Sequence, residues 1–117
     1  MNLSLDLDGE RAVIRATGYL SLQAGENLSV LLRDLGRMEI REIGLDIAGC
    51  SPVCIAALEN LLDRKFQLAH HGVNMTFSRP SRSVSKVFQI MGLRPNGELL
   101  TGSGSGGPGQ QVIPQDV

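Results

Sequence analysis

Cys50 and Cys54, in the stretch GCSPVCIAA, are the side chains of this chain with the widest chemical reach. A thiol at a helix N-terminus has a lowered pKa and can sense oxidants or bind a metal. A free cysteine serves equally as a small core residue, the simpler reading here. The C-x3-C spacing is not the C-x-x-C of dithiol redox sites, and two thiols alone do not complete a zinc site. Ser51 lies between them and also carries two readings, a helix N-cap or a phosphoacceptor. Ser81, Ser83 and Ser85, with Arg79, Arg82 and Lys86 nearby, read as a capped helix start with a solvated basic face or as a place to hold an anion. His70 and His71 are neighbours near a helix end; side chains one residue apart point about 100° apart on a helix and make a poor metal pair. Asp46 is either a docking carboxylate or a structural one near a strand end. The chain has no nucleophile–base–acid set, phosphate loop or dinucleotide fingerprint. The expectation is a protein that is not an enzyme and takes no metal or cofactor.

The elements that must position these residues follow from hydrophobic periodicity. Leu3, Leu5 and Leu7 alternate with Ser4, Asp6 and Asp8, the period-2 signature of a half-buried strand. Asp8-Gly9 is a hairpin turn dipeptide, and residues 12–17 return as a second strand that Gly18 ends. Leu28, Leu31, Leu32 and Leu35 form one helical stripe within residues 23–37, with a stop near Gly36. Residues 42–48 alternate again as a strand. A helix is predicted over 52–71, started by Ser51 as N-cap and Pro52 at its first position and stopped by Gly72. Its expected core face is Ile55, Leu58, Leu61, Leu62 and Leu68. Val73, Met75 and Phe77 make a last strand. A final helix begins near Ser81, with Val84, Val87, Phe88 and Met91 at helical spacing and Gly92 at its end. The order is ββαβαβα. Strands joined through helices pair in parallel by right-handed crossovers, so the fold class is α/β with a mixed sheet.

Composition limits the partners. The 117 residues carry a net charge of −1 with acids and bases interspersed, which gives no electrostatic footprint for nucleic acid. Three Phe, one Tyr and no Trp leave little for base stacking. No apolar run approaches the ~20 residues of a membrane span, and residues 1–7 lack the basic region of a signal peptide. The expected location is the cytoplasm, with reduced cysteines and no direct membrane insertion. Five glycines fall between Gly102 and Gly109, so residues 98–117 read as a disordered Gly/Ser/Pro-rich tail after one domain at 1–97.

The uninterrupted stretch LDIAGCSPVCIAALENLL, residues 45–62, resembles the central segment of the STAS domain, the fold of anti-sigma-factor antagonists. Those proteins show a run like (V/L)DLSGV-x-x-(I/M)-DSSGL-x-x-LL, and Leu45, Asp46, Ile47, Gly49, Leu58, Leu61 and Leu62 fall on it without a gap. Gly18-Tyr19-Leu20 looks like the family's G-x-L turn and VSKVFQIMGL, residues 84–93, like its closing element. The resemblance runs from about Leu5 to Leu93. It departs from the family at the phosphorylated Asp-Ser-Ser-Gly, where this chain has Cys54, Ile55, Ala56 and Ala57.

The resemblance implies a STAS-like mixed sheet covered by helices and a non-enzymatic interaction module in bacterial partner-switching and transcription regulation. The implied partner is an anti-sigma factor or switch-protein kinase, docked on Gly49, Ser51, Pro52, Cys54, Ile55, Ala56 and Ala57. In the family the phosphate goes to a serine whose place is taken here by Ala56, leaving Ser51 as the nearest candidate phosphoacceptor. Two other roles stay open: an accessory subunit docking on the ATPase of an ABC-type lipid transporter, and an oligomeric STAS scaffold. A homodimer is a further alternative.

Overall fold

The computed structural model describes residues 1–78, 80–94 and 98. The elements run β1 (Asn2–Asp8), β2 (Arg11–Leu20), α1 (Leu22–Gly36), β3 (Glu42–Val53), α2 (Ile55–His70), β4 (Asn74–Phe77) and α3 (Arg82–Ile90). This is the order expected from periodicity. Arg79 and the proposed tail beyond residue 98 lie outside the described residues.

The four strands form one mixed sheet in the order β1-β2-β3-β4. β1 and β2 are an antiparallel hairpin in continuous register from Asn2↔Thr17 to Asp8↔Arg11. Its two-residue loop places Gly9 at φ 62°, a conformation glycine adopts without steric cost and the one a II′ turn requires at its first central position. β3 pairs in parallel with β2 and with β4, and α1 and α2 are the two crossovers. Ser21 caps α1, its hydroxyl accepting from the Ala24 N–H at 3.1 Å. Ser81 caps α3 in the same way through Val84 at 3.2 Å, as its sequence position predicted.

The core lies between the sheet and the three helices. Ala12, Ile14 and Ala16 of β2, Ile43, Leu45 and Ile47 of β3, and Met75 and Phe77 of β4 supply the sheet side. Leu28, Leu32 and Leu35 of α1, Leu58, Leu61 and Leu62 of α2, and Val84 and Phe88 of α3 close over them. The Phe77 and Phe88 rings meet at 5.0 Å between centroids, tilted by 58°.

The two crossover helices approach closely because small residues face each other. A Cβ added at Gly25 would stand 2.7 Å from Ala57 Cβ and 2.9 Å from Ala57 Cα, and one at Gly36 would stand 2.7 Å from Leu68 Cδ2. Contacts this short are excluded for real side chains; the tip of Leu68 can turn aside but the Ala57 backbone cannot, so the α1–α2 spacing depends on the missing methyl group at Gly25.

Two expectations need correction. Leu3, Leu5 and Leu7 do lie on a strand, but every residue of β1 is exposed. The crossovers carry α1 and α2 over β2, β3 and β4, and no described helix covers the edge strand. Ile55 is likewise 56% exposed rather than part of the core, because it sits at the margin of the α2 apolar face, whereas Ala57 and Leu58 in the same turn are fully buried.

Candidate functional site

The docking residues expected from the motif, residues 49–57, lie at one end of the sheet, where β3 passes into α2. β3 continues well past its expected end at residue 48. Thr17↔Gly49, Gly18↔Cys50 and Leu20↔Val53 extend its ladder with β2, with register irregularities between Arg15 and Thr17 and between Gly18 and Leu20. The Cys54 N–H then donates to the Leu20 carbonyl at 2.8 Å.

This overturns the expected helix start. Ser51 and Pro52 belong to the strand, joined by a cis peptide bond, and α2 begins only at Ile55. Its N-cap is Cys54, whose carbonyl accepts from Ala57 at 3.0 Å and Leu58 at 3.2 Å, with no side-chain cap. Ser-Pro before an apolar stripe is a local start signal. Backbone pairing with β2, contributed by residues some thirty positions away, outweighs it.

The surface this creates is small and largely apolar. Gly49, Ser51, Pro52 and Ile55 are exposed, and Cys54 and Ala56 are half-buried. Ala57 is fully buried under Gly25. It therefore holds helices together and is removed from the docking set expected from the motif. Tyr19, 55% exposed, and Leu22, 46% exposed, flank Leu20, which pairs with Val53 at the same end of the sheet. They were not singled out from sequence. Leu22 lies off the α1 apolar stripe, and that off-stripe leucine was the available signal.

The two cysteines separate clearly. Cys50 is buried, and its Sγ donates to the Ala16 carbonyl at 3.5 Å. Burial raises its pKa above the ordinary value of 9.0, and the carboxylate of Asp46 raises it further, against a smaller lowering by the amino terminus. This is the core reading rather than the activated-thiol one. Two thiol reactions are expected on unfolding and one at most in the native chain at neutral pH, read with a maleimide reagent. Prompt labelling of Cys50 in the folded protein would defeat this assignment. Because the folded-state pKa is raised, burial favours the neutral thiol. The associated stability is complete below pH 9.0 and is lost as pH rises through the higher folded value.

Asp46 is buried and structural. Its carboxylate accepts from the Ala48 N–H at 3.0 Å and from Arg15 Nε at 3.4 Å, tying down the strand just before residues 49–53. Among the described residues no group of three or more metal-ligating side chains occurs, and His70 and His71 are exposed at the far end of α2. No helix of the described residues is long and apolar enough to cross a membrane.

No family model matches the sequence, and no curated protein matches it. Solved structures do. The anti-sigma factor antagonist SpoIIAA in its unphosphorylated form superposes with a TM-score of 0.69 at 25% identity, over 80% of this chain and 84% of that one. The Bacillus cell fate determinant SpoIIAA in the phosphorylated form gives 0.67 at 23% identity, over 79% of this chain and 85% of that one. Mglu gives 0.61 at 22% identity over 68% of this chain, which corresponds to only 20% of Mglu's own length. A four-stranded mixed sheet, three helices and agreement with SpoIIAA over 80% of this chain together show that this chain has the STAS fold and resembles the anti-sigma-factor antagonists.

Proposed function

We propose that the chain is a non-enzymatic binding module that docks an anti-sigma factor or switch-protein kinase in a bacterial cytoplasm. The observation that carries this reading is the exposed segment Gly49, Ser51, Pro52 and Ile55 at the β3–α2 turn, on a scaffold that superposes with an anti-sigma-factor antagonist. Exposed apolar side chains grouped around a turn favour a protein partner over a small molecule. Ala56 occupies the position of the family's acceptor serine, so binding here does not pass through phosphorylation at that residue. Ser51 is exposed and is the hydroxyl on which a displaced switch would act.

The test is capture of partners from the native cytoplasm by the tagged full chain and by its Ala56→Asp variant, with the intact mass of the bait recorded. The first turn of α2 contains no acidic residue. An aspartate there is favoured by the helix dipole, typically by about 0.3–1 kcal/mol at surface positions, so the variant remains folded. The charge nevertheless enters an apolar docking surface. At least a tenfold loss of affinity for an anti-sigma factor or switch kinase is expected. Equal capture by both forms moves the interface elsewhere, and recovery of a transporter ATPase replaces the antagonist reading. A bait heavier by one phosphate on Ser51 places the switch at that residue.

A further inference from the structure

We propose that β1 pairs with β1 of a second copy of this chain, antiparallel and centred on Leu5, giving a twofold dimer with a continuous eight-stranded sheet. The proposal does not depend on the docking function above. β1 is an edge strand of seven residues whose outer side meets no strand among the described residues. Leu3, Leu5 and Leu7 are 45%, 41% and 52% exposed. Opposite residues of an antiparallel pair share a face, so these leucines project on the same side as their partners Ala16, Ile14 and Ala12, the helix-covered face. They form an apolar ladder at the margin of the core that nothing described covers. Natural edge strands are protected by charged side chains, lysine above all, by proline or by bulges; the charges of β1, Asp6 and Asp8, alternate with the leucines and lie on the opposite face. β1 has no lysine or proline, and its register with β2 is unbroken.

The backbone selects the same residues. In a hairpin with a two-residue loop the flanking pair, Asp8–Arg11, is the doubly hydrogen-bonded kind, and the two kinds alternate from there. Asp6 and Ser4 therefore spend their backbone groups on β2, whereas the N–H and C=O groups of Leu3, Leu5 and Leu7 point to the open edge. A second strand must bond to these residues.

Side chains then choose the register. With Leu5 opposite the partner's Leu5, Leu3 meets the partner's Leu7, Ser4 meets the partner's Asp6, and Asn2 meets the partner's Asp8. All leucines pair, and no carboxylate faces another. Sliding two residues one way places Asp6 opposite the partner's Asp6, a like-charge pair that destabilises a sheet. Sliding the other way leaves Asp8 beyond the partner strand. The opposite edge strand, β4, has only four residues. Each copy thus offers one long edge, and pairing closes as an isologous dimer rather than growing.

The experiment is sedimentation velocity of the full chain across a wide concentration range, together with Leu5→Lys and with cysteine variants under mild oxidation. A concentration-dependent dimer is expected that Leu5→Lys converts to monomer at every concentration. Leu5 is already solvent-exposed in the monomer, so the lysine leaves the fold intact, which circular dichroism verifies. Leu5→Cys should cross-link to itself across the twofold. Leu3→Cys alone should not, while the Leu3→Cys/Leu7→Cys double variant should. A native chain that stays monomeric throughout overturns the proposal, including the case where β1 amides are protected from exchange by the chain's own terminal residues. A dimer unaffected by Leu5→Lys, or one cross-linked equally by Leu3→Cys and Leu5→Cys, overturns it as well.

Discussion

Phe88→Ala is expected to lower stability by about 3–5 kcal/mol, the range for removing a buried aromatic ring from a core. Phe88 is fully buried and supplies one ring of the Phe77–Phe88 pair, whose 5.0 Å separation and 58° tilt match the favourable edge-tilted geometry of aromatic contacts. It is also the residue that fastens α3. That helix is nine residues long, too short to persist on its own, and only Val84 and Phe88 within it are fully buried. The chain turns back immediately afterwards, with the Leu93 N–H donating to the Phe88 carbonyl at 2.8 Å. Losing the ring therefore empties a site that the neighbouring residues cannot close by relaxing, and α3 should detach. Because domains of this size are stable by only about 5–15 kcal/mol, thermal unfolding should fall by on the order of 20 °C. Calorimetry checks the value. A melting temperature within a few degrees of the native one would show that α3 contributes little to the core. Phe88→Leu, which keeps most of the volume, should recover much of the loss.

Gly25→Ala should destabilise in spite of helix propensity. In an exposed helix the change gains about 1 kcal/mol. Here the new Cβ would stand 2.7 Å from Ala57 Cβ and 2.9 Å from its Cα, and a backbone atom cannot rotate away. The helices must separate, and overpacking of this kind costs about 1–3 kcal/mol. Gly25→Val should fall at or beyond the upper end of that range. Chemical denaturation gives the stability change, and Ala57→Gly introduced with Gly25→Ala should return part of it, a coupling that a double-mutant cycle isolates. If Gly25→Ala stabilised the chain, the close approach of α1 and α2 would be refuted. Ala57 follows Ala56 directly, so any separation of the helices also displaces the proposed docking surface.

The sequence was informative wherever a local rule decided the outcome. Seven elements in the right order follow from alternation and helical spacing. The hairpin turns where expected, though its loop is Gly9–Glu10 with Asp8 still paired in β1; Ser81 caps α3, and Gly72 adopts φ 79° just past α2, the left-handed conformation of a helix stop. The errors came from long-range structure. Ser51-Pro52 reads as a cap because capping is local, whereas the strand that claims those residues depends on pairing with β2. Leu3, Leu5 and Leu7 read as half-buried because alternation reports a face but not whether a helix lies above it. Ala57 reads as a surface residue from its motif position, and only the approach of Gly25 reveals its burial. The proposed docking segment comes from the resemblance to antagonists, whereas the exposure of Tyr19 and Leu22 beside it depends on the pairing of Leu20 with Val53.

The continuation of β3 to Val53 has a kinetic consequence for the proposed recognition. The five residues from Gly49 to Val53 lie within the strand, and the Cys54–Leu20 hydrogen bond closes the segment at its far end. Immobilising one backbone residue costs about 1–2 kcal/mol, a penalty that folding has already met for this segment before any encounter. Association is then governed by collision and orientation rather than by a search for the bound shape. Substitutions along the segment should consequently change how long complexes last far more than how quickly they form.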